Sequence, residues 1–100
     1  VPSIWPLEVA NGLLVAERRG RLSLARVARA VELFQELPIF VFEVGAQVAL
    51  GSVLELGRVH GLSAYDAAYL ELAMREGLPL ATQDDALRVA AERAGVPLVE

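Results

Sequence analysis

The sequence contains no cysteine. A disulfide framework and a thiolate metal site are both excluded, and nothing points to an oxidising compartment. Lysine is missing too, so all nine basic residues are arginine, and thirteen acids leave a formal net charge of −4. A strongly basic nucleic-acid footprint is therefore absent, and a phosphate-bearing partner must be met by local basic patches or by a metal ion. Histidine occurs once, as His60. Long apolar runs are also lacking. The longest are a few residues, such as Ile39-Phe40-Val41-Phe42, too short to cross a membrane. No charged segment followed by an apolar block marks a secretory signal, so the expected location is cytoplasmic.

What is present suits one small domain over residues 1–100. The composition is 55% hydrophobic with a mean hydropathy of +0.46, enough for a packed core and unlike a disordered tail. Glycine and proline fall between periodic segments. Ser3 is the expected cap of a first helix, with Pro6 in its first turn and Leu7, Ala10, Leu14 and Val15 as its apolar stripe, ended by Gly20. Ser23 is the expected cap of a second, which carries Val27, Ala30, Val31 and Phe34 and closes at Pro38. A third helix is expected from Val44 to His60. Its Gly45, Gly51 and Gly57 each weaken it by ~1 kcal/mol relative to alanine, which implies close packing against a neighbour. Ser63 opens a fourth through Arg75, and Thr82 caps a fifth ending at Gly95. Three short apolar runs, 39–42, 78–81 and 96–99, read as strands. Strands separated by helices must cross over and run parallel, so the expected fold is a three-layer α/β/α sandwich with a parallel sheet. Three strands make a thin sheet and no central strand is visible. The chain also begins at Val1, already leading into a helix, so natural sequence is expected upstream.

Several residues could carry chemistry. Asp66, in Ser63-Ala64-Tyr65-Asp66, fits a capping-box-like helix start, where a carboxylate favours the positive end of the helix dipole. Asp84, in Thr82-Gln83-Asp84-Asp85, has the same bland reading. It also follows an expected strand end, where open α/β sheets bind ligands. Glu8 and Asn11 share a helix face amid apolar sequence. Carboxylates converging from three elements would repel by about 4 kcal/mol per pair at 4 Å and an effective dielectric near 20, so such a cluster needs a counter-ion. With no cysteine and one histidine, oxygen ligands favour Mg²⁺ or Mn²⁺ over zinc. An ion so held can activate water against a phosphodiester. His60, before Gly61, suits a helix C-terminus. Ser3, Ser23 and Ser63 read as caps, so no Ser–His–Asp triad is supported, and there is no glycine-rich phosphate loop. Arg18, Arg19, Arg21, Arg26 and Arg29 form the one basic concentration, either a solvated surface or a phosphate-tracking edge.

In these blocks the sequence resembles the PIN-domain ribonucleases, specifically the VapC-type toxins of toxin–antitoxin pairs. The resemblance begins with the Val1-to-Asn11 segment, continues through Arg19-Gly20-Arg21-Leu22 and Leu37-Pro38-Ile39, and is strongest over His60-Gly61-Leu62-Ser63-Ala64-Tyr65-Asp66-Ala67-Ala68-Tyr69-Leu70. Leu78-Pro79-Leu80-Ala81-Thr82-Gln83-Asp84 completes it. The resemblance implies a Mg²⁺- or Mn²⁺-dependent endoribonuclease. Glu8, Asp66 and Asp84 match the metal-binding and catalytic acids, and Asn11 and Thr82 match supporting groups. Asp85 is a weaker substitute for Asp84. Arg18, Arg19 and Arg21 are candidate RNA contacts. A homodimer, a cognate antitoxin and an RNA substrate are the implied partners. The family's opening strand, which ends in an aspartate, and the helix after it are not present, so the chain alone is expected to bind metal poorly. Two rival readings are a non-catalytic PIN-like interaction module, with the acids as helix caps, and a housekeeping PIN nuclease in RNA maturation.

Overall fold

The computed structural model describes residues 1–99. Its regular elements are helices: α1 (Trp5–Arg18), α2 (Leu24–Glu36), α3 (Ala46–Val48), a π-helical stretch (Ala49–Val53), α4 (Leu54–His60), α5 (Ala64–Glu76) and α6 (Asp85–Ala94). The expected α/β/α sandwich with a parallel sheet is not what forms. Among the described residues there is no strand, only two isolated parallel bridges, Pro2 with Phe42 and Leu80 with Leu98.

Proline explains why the second bridge does not extend back toward α5 and α6. Leu80 N donates to the Pro97 carbonyl at 2.8 Å and Val99 N donates to the Leu80 carbonyl at 2.9 Å. The preceding rung would need an N–H at position 97, and proline has none. The Leu78 amide is moreover committed to the Ala73 carbonyl at 3.0 Å, closing the end of α5. At the first bridge, Phe42 N donates to the Val1 carbonyl at 2.8 Å. Beyond Pro2, Ser3 and Ile4 already turn into α1.

The chain divides into two compact units, residues 3–41 and residues 1–2 with 42–100. In the smaller unit, the edge of Trp5 at the start of α1 meets Phe34 near the end of α2. Their ring centroids are 5.8 Å apart and their planes are inclined by 78°, so the helices run antiparallel. Ser23 caps α2 as expected, its Oγ accepting from Arg26 N at 3.2 Å. Ser3 does not cap α1. The helix starts one residue later than that cap would allow, with Ile4 at the N-cap and no side-chain hydrogen bond there. Neither helix buries a residue fully.

The larger unit holds the core. Leu70, Ala73, Leu80, Leu87, Ala90, Ala91 and Val96 form one cluster and Val53, Ala67 and Ala68 a second, with Leu56 and Leu62 packed against both. The alanines on α5 and α6 let the helix backbones approach closely. Fully buried Leu70 alone contributes about 1.5–3 kcal/mol of transfer free energy. Gly61, Gly77 and Gly95 end α4, α5 and α6 at positive φ, where a side chain would be strained. The packing inferred for three glycines holds for one. A Cβ on Gly57 would meet the Leu62 carbonyl oxygen at 3.1 Å, whereas nothing lies within 4 Å of Gly45 or Gly51.

Candidate functional site

Ser63 sits at the N-cap of α5 and its Oγ accepts from Asp66 N at 3.1 Å. That bond fixes the first turn and places Asp66 one residue before buried Ala67 and Ala68. The reciprocal half of a capping box is absent. Among the described residues the half-buried Asp66 carboxylate makes no hydrogen bond, either back to Ser63 or elsewhere. It faces the positive end of α5 uncommitted.

Asp84 is placed differently. It is itself the N-cap of α6, Oδ1 accepting from Leu87 N at 2.9 Å, while Thr82 Oγ1 accepts from Asp84 N at 3.1 Å. Thr82 therefore does not cap the helix, as its spacing suggested. The cap lies two residues on, because Thr82 is spent on turning the chain into Asp84. One carboxylate oxygen, Oδ2, takes no part in the cap. Asp85, the first residue of α6, is exposed. An arginine that sequence reasoning passed over completes this turn. Arg88, one helical turn after Asp84, donates from Nη1 to the Thr82 carbonyl at 3.2 Å. With Ala81, Thr82, Gln83 and Val99 it lines a cleft of about 470 Å³. The available signal was the four-residue step from Asp84 to Arg88, which puts both on one helix face.

Glu8 and Asn11 lie in the smaller unit, both exposed on α1, with Glu8 in its first turn. Arg18 ends α1, Arg19 is its C-cap and Arg21 follows Gly20, all three exposed. Their cations lie at the negative end of the helix dipole. His60 is the last residue of α4, as expected.

Two further ionic groups were not foreseen. Glu71 on α5 is buried, its side chain only 9% exposed, and accepts from Arg75 Nε at 2.8 Å. The hydrogen bond that Arg75 donates to Glu71 holds the Arg75 pKa above its usual value, against the opposing effect of desolvation. The pair lines a cleft with Ser52, Glu55, Leu56 and Met74. Its mutual pairing at i,i+4 marks it as a packing device for α5.

Carboxylates are the right donors for a hard divalent cation. Among the described residues, however, no three His, Cys, Asp or Glu side chains form a group that could hold a metal ion. By donor chemistry Asp66 and Asp84 in the larger unit, and Glu8 in the smaller, suit such an ion. No helix among the described residues is long and apolar enough to cross a membrane. A family model described as PIN domain matches residues 1–93, a span that includes Glu8, Asn11, Asp66, Thr82 and Asp84. No curated protein matches the chain.

Proposed function

This chain belongs to the PIN-domain family, and from that premise we propose that it acts as a metal-dependent endoribonuclease, the toxin component of a toxin–antitoxin pair. PIN domains are in general nucleases and typically use divalent metal ions. The observation that carries the reading within this chain is Asp66. A half-buried carboxylate at a helix start, with no hydrogen bond to its oxygens among the described residues, is available for a ligand or catalytic role.

In this reading Glu8, Asp66 and Asp84 are the acids that hold Mg²⁺ or Mn²⁺, with Asn11 and Thr82 in support. The ion, when bound, would supply an activated water and charge neutralisation at the phosphodiester. Asp84 Oδ1 accepts from Leu87 N, which leaves Oδ2 outside the cap. Exposed Arg18, Arg19 and Arg21 would neutralise RNA phosphates locally on an otherwise acidic chain. A homodimer and an antitoxin belong to the same proposal. Leu7, Leu24 and Phe40 are exposed, at 68%, 75% and 78%, and are candidate contacts for those partners. We place the protein in the cytoplasm.

One observation favours the rival reading of a non-catalytic interaction module: Asp84 is used as a helix cap. RNA cleavage separates the two. The protein is expressed from its complete natural reading frame, free of any neighbouring-frame partner, and incubated with structured and single-stranded RNAs. The nuclease reading expects cutting with Mn²⁺ that EDTA and Asp66→Asn both abolish. Equal inertness with and without metal on every RNA would overturn it. Growth arrest on expression, relieved by the product of a neighbouring frame, distinguishes a toxin from a housekeeping nuclease.

A further inference from the structure

The turn that carries Asp84 is held by a chain of hydrogen bonds that begins at Arg88. The guanidinium donates to the Thr82 carbonyl at 3.2 Å, the Thr82 hydroxyl accepts from Asp84 N at 3.1 Å, and Asp84 Oδ1 accepts from Leu87 N at 2.9 Å. Each bond constrains the next. Thr82 cannot keep its hydroxyl on the Asp84 amide if its own peptide rotates. The peptide is kept from rotating by a side chain rooted in α6, the helix that Asp84 starts. Leu87 and Ala91 on the same helix are buried, so the root is rigid. Arg88 is half-buried and lines the cleft with Thr82 and Gln83.

We propose that Arg88 is a positioning residue: by clamping the Thr82 carbonyl it sets the direction of the Asp84 carboxylate. This rests on the nuclease reading for its catalytic consequence, and on geometry alone for the clamp. Arginine suits the role because its planar fork stays charged and loses little freedom when one N–H is fixed. Glutamine at 88 is too short to make the same reach. Lysine keeps the charge and can offer a donor without the fork.

The test uses the full chain with Arg88→Gln and Arg88→Lys, and Thr82→Val as a second route to the same network. Backbone amide exchange is read at Asp84 and Leu87, with Ala90 and Ala91 as internal controls. The clamp predicts that Arg88→Gln speeds exchange at Asp84 and Leu87 by about tenfold while the controls hold. It also predicts a fall in kcat of about tenfold with KM unchanged, partly rescued by Arg88→Lys, because orientation and not RNA binding is lost. If Arg88→Gln does not fold, Arg88→Lys carries the test and must show a smaller rise in exchange at Asp84 and Leu87 together with a smaller kcat loss. Unchanged exchange at Asp84 and Leu87 overturns the proposal. So does altered exchange with kcat intact, which is what a purely structural clamp would show. A wild-type protein that cuts no RNA overturns the nuclease reading and the positioning role with it, while the exchange pattern still shows whether the clamp exists.

Discussion

Asp84 holds a helix start with one oxygen and, in the proposed function, serves the reaction as a carboxylate. Replacing it in two ways separates those roles. Asp84→Asn keeps a side-chain oxygen that can accept from Leu87 N, now 2.9 Å from Oδ1, and removes only the charge. Asparagine caps about as well as aspartate, so the loss is the charge–dipole term, about 0.3–1 kcal/mol. Asp84→Ala removes the cap as well. A lost cap costs about 1 kcal/mol, and with the dipole term the total is about 1.5 kcal/mol. Leu87, whose amide is left without its partner, is 4% exposed in the main core, so water replaces the bond poorly. For a domain of this size about 1 kcal/mol corresponds to roughly 4–8 °C in Tm. Thermal unfolding followed by circular dichroism should therefore rank wild type, then Asp84→Asn within a few degrees, then Asp84→Ala clearly lower. Mn²⁺-dependent RNA cleavage should rank them differently, with both variants near zero. Equal Tm values for the two variants would refute the capping argument. Full activity in Asp84→Asn would refute the carboxylate's role.

Other expectations follow from the same geometry. Asp66→Asn should change stability by no more than about 0.3–1 kcal/mol in urea unfolding, since only a charge–dipole term is lost, yet it should abolish cleavage. A stability loss with activity retained would make Asp66 a helix-start acid only. Gly12→Ala in α1, where a Cβ meets nothing within 4 Å, should stabilise by about 0.5–1 kcal/mol. Gly57→Ala should lose that gain, because its Cβ would stand 3.1 Å from the Leu62 carbonyl oxygen, and a Tm rise equal to that of Gly12→Ala would contradict this.

The helices were legible because their ends are written in side chains. Ser23 and Ser63 cap where their positions suggest, and Gly20, Gly61, Gly77 and Gly95 all adopt positive φ at or just beyond helix ends. Two starts were misplaced because another residue took over: Ile4 occupies the α1 cap without a side-chain bond, and Asp84 displaces Thr82 at α6. The strands were over-read. The apolar runs at 78–81 and 96–99 do meet, but Pro97 stops the ladder on the side of α5 and α6, and a short β-rich run carries no information about whether its partner can donate. In the candidate site, Asp66 and Asp84 stood out through their motifs, whereas Arg88 did not. An arginine inside a helix resembles any solvated one until its reach to a specific carbonyl is known. The burial of Glu71 was equally hidden, since nothing local distinguishes it from the exposed glutamates.

In the proposed function Glu8, Asp66 and Asp84 serve one divalent ion. Titrating Mn²⁺ into the isotopically labelled protein and following paramagnetic broadening of its amide signals tests this without any substrate. Signals at Glu8, Asp66 and Asp84 are expected to broaden first and together, and Asp66→Asn to remove the effect at all three. Broadening confined to other residues, or an effect at Glu8 and Asp84 that survives Asp66→Asn unchanged, would contradict it.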